Sequence, residues 1–319
     1  MSESGPDASG DHWDRKILEK VALAAVHEQR RARRWGIFFK LLLFVYLFAL
    51  LFIGMGWFVK KDGLPGKHTA LVEVRGVIAA GGAASADNII AGLQEAFKDK
   101  GTQGVILRIN SPGGSPVQAG YVNDEIRRLR AKYPKIPVYA VVEDICASGG
   151  YYIAVAADRI YVDKASIIGS IGVLMDGFGF TGLMDKLGIE RRLLAAGENK
   201  GFLDPFSPIR DSQKEYAEKM LGDIHQQFIT VVRQGRGKRL KETPEMFSGL
   251  FWIGPKSIEL GLADATGSVD FVAREVIKAE DIVDFTPREN IAERVARRFG
   301  AAMAETIMRI GAGSGINLR

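Results

Sequence analysis

Cys146-Ala147-Ser148-Gly149-Gly150-Tyr151-Tyr152 sets one serine at the junction between a β run and a helix. Residues 136–142 (IPVYAVV) before it are β-branched and apolar enough for a buried strand, and residues 152–157 (YIAVAA) after it are small and apolar with good helix formers. A serine at that junction sits at a helix N-terminus, where unpaired backbone N–H groups can hold a developing oxyanion and glycines let a substrate backbone come close. Taken alone, the same stretch also reads as an N-cap and a tight turn.

A second glycine loop adds to that reading. Residues 104–110 (GVILRIN) alternate and end in Ser111-Pro112-Gly113-Gly114-Ser115, after which 117–133 reads as an amphipathic helix. Two successive strands therefore each end in a Gly-Gly turn that opens a helix, and strand ends of this kind are where α/β sheets bind ligands. Further strand-like runs at 70–78 and 159–162 alternate with helical runs at 86–98 and 150–157, so the fold class is α/β. One loop can supply a nucleophile and the other an oxyanion-hole amide, from Gly113 or Gly114. Neither the phosphate-loop nor the dinucleotide fingerprint is complete, which discounts nucleotide binding.

A serine nucleophile needs a base. Of the four histidines, His12, His27 and His68 flank an apolar membrane-like segment, and only His225 falls in the globular part. It lies in the helical run 212–234 and reads as a helix-surface residue. The alternative is a lysine that burial makes neutral, able to take the serine proton. Lys200 is the candidate, in the glycine-bounded, partly apolar loop Gly197-Glu198-Asn199-Lys200-Gly201-Phe202-Leu203-Asp204-Pro205-Phe206. Ser170, in Gly169-Ser170-Ile171-Gly172, reads by itself as a turn hydroxyl.

The ordered motifs INSPGGS, CASGGYYIA, IIGSIGV and GENKGFLDPF, with FWIGPKSIELGLADATGSVD behind them, resemble the short form of signal peptide peptidase A, a family of membrane-anchored bacterial Ser-Lys peptidases. The resemblance covers about 71–271. It implies Ser148 as nucleophile, Lys200 as general base from the same copy of the domain, and Ser170 as the group orienting the lysine amine. It also implies oxyanion-hole amides from Gly149 and from Gly113 or Gly114. The implied fold is crotonase-like, similar to the Clp protease subunit and built of repeated ββα units; the implied assembly is a homo-oligomer enclosing the sites. No metal or organic cofactor is implied.

The 319 residues carry 43 Lys and Arg against 38 Asp and Glu, a formal net charge of +5. The excess gathers at Arg30, Arg31, Arg33, Arg34 and Lys40, and at Arg288, Arg294, Arg297, Arg298, Arg309 and Arg319. Without interleaved aromatics such clusters suit anionic lipid headgroups better than nucleic acid, or are simply solvated helix faces. The single cysteine, Cys146, excludes an intrachain disulfide and reads as a buried small side chain rather than a thiol nucleophile.

Residues 41–59 form an uncharged, strongly apolar run between Lys40 and Lys60-Lys61, with Trp35 and Trp57 at interface positions. At about 1.5 Å per residue the run spans roughly 28 Å, enough to cross a bilayer core. Basic residues are denser before it than after, which puts the N-terminus in the cytoplasm and the large domain outside. The expected organisation is a cytoplasmic segment (1–34), a transmembrane helix (35–59), a linker (60–68), the Ser-Lys peptidase domain (69–285) and a basic amphipathic C-terminal helix and tail (286–319). The expected function is a single-pass inner-membrane serine endopeptidase that cleaves apolar peptides such as remnant signal peptides. A non-catalytic membrane scaffold and an acyl-coenzyme-A enzyme on the same fold are the rival classes.

Overall fold

The computed structural model describes residues 8–54 and 66–287. The chain divides into two compact units, one holding α1 (Ala8–Gly54) and the other, Gly63–Pro287, holding a sheet and its helices. The expected C-terminal helix lies outside the described residues.

α1 is one continuous helix across the expected boundary at 34–35, because it holds no proline and Gly36 is the single glycine between Gly10 in its first turn and Gly54 at its end. The expected span 41–59 is described only as far as Gly54. Those fourteen residues rise about 21 Å. Among the described residues no helix is long and apolar enough to cross a membrane.

In the second unit, β1 (His68–Arg75), β2 (Thr102–Ser111) and β3 (Val138–Ala147) are the long central strands. β4 (Arg159–Val162), β5 (Ile167–Gly169), β6 (Phe251–Ile253), β7 (Ala265–Thr266) and β8 (Ile282–Asp284) complete an eight-stranded sheet. Its order is β6-β5-β3-β2-β1-β8, with β4 beside β3 and β7 beside β4. Every pairing is parallel except that of β5 with β6.

Alternation along the strands explains the layers. Val72 and Val74, Val105 and Leu107, and Val138 and Ala140 share a core with α2 (Ala86–Lys98) and α3 (Pro116–Lys132). These helices bring Ile89, Leu93 and Phe97, and Val122, Ile126 and Leu129, each set on one helical stripe. The opposite sheet face buries Leu71, Ile106, Val141 and Tyr161 against Val272 and Ala273. Both faces are covered over this region, as parallel sheets require.

β3 runs five residues past the 136–142 stretch that its apolar run marks. Glu143 and Asp144 end that run, but there the strand exchanges neighbours: Tyr139, Ala140 and Val141 pair with β4, and Ile145, Cys146 and Ala147 with β5. Buried Ser166 bridges the split. Its hydroxyl donates to the Glu143 carbonyl at 2.6 Å and accepts from the Asp163 N–H at 2.9 Å. The added residues deliver Ser148 to the sheet edge, directly ahead of α4 (Gly149–Ala154).

After the short helix α5 (Thr181–Leu187) comes α6 (Asp211–Arg236), which is tied to the sheet by its last residue. Arg236, 1% exposed, makes a two-pronged pair with Asp264 at 2.8 and 2.9 Å and donates from Nε to the Gly261 carbonyl at 2.8 Å. Burial alone would raise the Asp264 carboxyl, but Arg236, the Ile160 N–H and Arg239 together hold it below the ordinary carboxylate range. A depressed carboxyl contributes stability that is present above its unfolded value and is lost as pH falls through its folded one. Asp264→Ala, which strands a buried guanidinium, is expected to destabilise the domain by about 3–5 kcal/mol in denaturant titrations at neutral pH. That deficit should shrink as the wild type is acidified below the carboxylate range; an unchanged midpoint at neutral pH would refute the assignment.

Candidate active site

Ser148 follows the last residue of β3 and has φ 50° and ψ −121°, a conformation rare outside glycine. Two backbone bonds impose it. The Ser148 N–H donates to the Gly169 carbonyl on the neighbouring strand at 2.9 Å, while its own carbonyl accepts from the Tyr152 N–H at 2.9 Å and starts α4. Its hydroxyl makes no capping bond and has no hydrogen-bond partner among the described residues. The backbone thus holds the side chain at the edge of the sheet and leaves the oxygen free.

The second glycine loop packs against this turn. Gly113 and Gly114 have φ 104° and 147°. A β-carbon on Gly113 would stand 2.6 Å from Ser148 Cβ and 2.8 Å from the Gly149 nitrogen, and one on Gly149 would stand 3.3 Å from the Gly114 nitrogen. Only glycine permits this approach at 113, and at 149 a side chain would have to push the loop back by a few tenths of an ångström. The Gly113 N–H donates to the Ser111 hydroxyl at 3.1 Å, whereas the Gly114 and Gly149 N–H groups have no acceptor among the described residues. The choice between Gly113 and Gly114 that the sequence leaves open therefore favours Gly114 as the available donor.

Ser170 is drawn in by β5. Gly169 pairs with Ala147, so Ser170 lies beside Ser148 across the parallel strands, half-buried, with φ 51°. Its N–H donates to the Leu250 carbonyl at 2.7 Å, and its hydroxyl has no partner among the described residues. The structure brings together Ser148, Gly149, Gly113, Gly114 and Ser170.

Lys200 is placed differently from the sequence expectation of a buried base. It is exposed, in a turn where its N–H donates to the Gly197 carbonyl at 3.0 Å, and its ammonium has no hydrogen bond or ion pair among the described residues. The loop is fastened by Phe202 edge-on to Tyr216 at 5.7 Å and by Phe206 stacked on Phe180 at 5.3 Å. Nothing within the described chain covers the lysine itself.

His225 also departs from its sequence reading as a helix-surface residue. It is half-buried on α6, and its Nε2–H donates to the Ile171 carbonyl at 3.0 Å, one residue after Ser170. That nitrogen is committed to bracing the Ser170 turn. Cys146 is fully buried in the core and burial pushes its thiol up, which disfavours the thiolate that a nucleophile needs.

The family model for peptidase family S49 matches residues 130–282, which include Ser148, Ser170 and Lys200 and begin beyond the Gly113-Gly114 loop. The chain belongs to peptidase family S49. It is 27% identical over 234 residues to an Enterococcus faecium chain named for the signal peptide peptidase SppA, covering 71% of this chain and 67% of that one. It is 29% identical over 202 residues to the chloroplastic serine protease SPPA of Arabidopsis thaliana, covering 63% and 29%. A Brucella melitensis chain named as the Na(+)/H(+) antiporter NhaA is 46% identical over 177 residues, 56% of this chain. The match spans about a quarter of that antiporter chain, at 24% of its length.

The backbone at Ser148 stores strain of about 1–3 kcal/mol. Ser148→Gly is expected to raise stability by about 1 kcal/mol, since relief of strain exceeds the greater unfolded-state freedom of glycine. Equilibrium unfolding checks this, and a Ser148→Gly chain less stable than the wild type would show that the positive φ is unstrained.

Proposed function

We propose that this chain is a membrane-anchored serine endopeptidase using Ser148 and Lys200 to cleave apolar peptides, such as remnant signal peptides, at the outer face of the cytoplasmic membrane. The observation that carries the reading is a serine hydroxyl at a strained strand-to-helix turn, with no partner among the described residues and flanked by two backbone N–H groups that have no acceptor among them. Membership of family S49 and a largely parallel sheet support a crotonase-like, Clp-protease-like fold for the domain.

In the proposed reaction neutral Lys200 takes the proton of Ser148 Oγ, and the oxygen attacks the scissile carbonyl. The Gly149 and Gly114 amides receive the developing oxyanion. Protonated Lys200 gives its proton to the leaving amine, and water then releases the acyl group. Ser170, beside Ser148, is suited to orient the lysine amine.

Lys200 must be taken out of water for this role, and the segment that carries it, 170–210, leaves large apolar side chains exposed, as does β6. Leu194 is 96%, Leu174 80% and Phe178 79% exposed, and Leu187, Ile209 and Phe251 are also bare. Exposed apolar side chains in this number suit an association surface, which supports a homo-oligomer whose contacts would desolvate the base. The anchor reading rests on α1, whose residues from Trp35 to Leu50 expose aromatic and aliphatic side chains on all sides behind the Arg30 to Arg34 cluster.

Ser148→Ala is expected to abolish cleavage of an apolar peptide while keeping the fold. Lys200→Arg is expected to be nearly inactive although it retains charge, since guanidinium does not give up its proton. Full activity of Lys200→Arg, together with loss of cleavage in a folded His225→Ala chain, would replace the lysine by a histidine base.

A periplasmic-type reporter enzyme fused after residue 68 should be active only outside the cytoplasm. Activity of a cytoplasmic reporter at the same junction would reverse the orientation.

A further inference from the structure

The INSPGGS motif contains a serine that the proposed reaction does not use. Ser111 is the last residue of β2 and is fully buried. Its hydroxyl donates to the Gly76 carbonyl at 2.7 Å and accepts from the Gly113 N–H at 3.1 Å. Its backbone lies against the start of α4, where a β-carbon on Gly150 would stand 3.1 Å from the Ser111 carbonyl oxygen. One small side chain therefore touches the turn after β1, the second glycine loop and the neighbourhood of the first.

The loop it holds has little intrinsic preference for any one shape, because both of its glycines sit at positive φ. Three bonds fix it: Ser111 Oγ at the Gly113 N–H, the Ile78 N–H at the Gly113 carbonyl at 2.8 Å, and the Ile78 carbonyl at the Ser115 N–H at 2.8 Å. Of these, the Ile78 N–H on the Gly113 carbonyl fixes the peptide plane that also carries the Gly114 N–H, and the Ser115 bond closes the far side of the loop. Among the described residues Ser111 alone accepts from the Gly113 N–H, and so fixes the Pro112–Gly113 peptide plane that precedes the donor's own. With that N–H committed, the next one is the donor left for an oxyanion.

We infer that Ser111 is a positioning residue for the oxyanion hole: by binding the Gly76 carbonyl and the Gly113 N–H together it anchors the entry to the loop and keeps the Gly113 N–H occupied, so that the Gly114 N–H, on the peptide plane that Ile78 holds, is the one donor this loop offers to the carbonyl that Ser148 attacks. This rests on the Ser148 peptidase reading and deepens it. Ser111 touches no reacting atom. Its removal leaves the Gly113 N–H free to rotate and compete with Gly114, which disperses a donor arrangement whose value depends on being fixed before the reaction.

The test uses the full chain in detergent with an apolar peptide substrate. A peptide aldehyde reports on the tetrahedral adduct and the matching peptide alcohol on ground-state binding. Ser111→Ala is expected to lower kcat by about 10–100-fold with KM within about twofold, smaller than or comparable to loss of a whole oxyanion donor. Affinity for the aldehyde should fall in parallel while that for the alcohol stays. Ser111→Cys, which keeps the volume but accepts weakly, should show the same split and serves if Ser111→Ala does not fold. Wild-type kcat in a folded Ser111→Ala or Ser111→Cys chain, or equal losses for aldehyde and alcohol, overturns the inference. Ser148→Ala in parallel separates the two readings: if it still cleaves, the peptidase reading fails; if it is inactive, a normal Ser111 variant removes only the positioning role.

Discussion

The bond from the Ser148 N–H to the Gly169 carbonyl is the constraint around which the site is arranged. It holds the residue after β3 against β5 while the next peptide begins a helix, and the two demands meet only at a positive φ. Everything near it follows from that conflict. Gly169 must be strand-paired, so Ser170 is carried alongside; the turn must be tight, so only glycine fits at 113 and little room is left at 149; and the turn is pressed against the loop from β2, so two sets of backbone donors meet.

Much of this was legible because it is local. A β run, a serine, two glycines and a helix lie in one continuous stretch, and the same grammar recurs at Ser111, so the α/β class and the meeting of two glycine loops follow from short-range chemistry. The continuation of β3 to Ala147 was not legible, since Glu143 and Asp144 interrupt the apolar pattern and only a change of neighbouring strand keeps them in the sheet. His225 was missed for a related reason: its acceptor, the Ile171 carbonyl, lies 54 positions away in the chain. Ser111 did carry a signal. A serine two residues before a glycine can accept from that glycine's N–H in a local turn, and the bond observed has that spacing.

Lys200 shows the limit of such reasoning from the other side. Its loop has the glycines and aromatics of a sheltered segment, and the aromatics do shelter one another through Phe202 with Tyr216 and Phe180 with Phe206. The lysine is left outside that packing. Composition measures how much apolar material a loop contains but not which side chain it covers. The bare Leu174, Phe178 and Leu194 are the corresponding surplus, apolar surface that the chain's own fold does not use.

The exchange of neighbours along β3 has a consequence for the order in which the domain comes apart. β1, β2 and the first half of β3 are joined over many consecutive pairs and sit between two buried layers, whereas β5 and β6 hang on three residues each at the margin. Thermal opening starts where the fewest bonds are lost together. The half of the sheet beyond Ser166 can therefore detach as a small hinged flap, taking the Gly169 carbonyl from Ser148 and letting the strained turn relax, while the central strands remain intact. The nucleophile's geometry is in this sense borrowed from the least secure part of the sheet, and any contact that pins β5 and β6 also keeps the serine cocked.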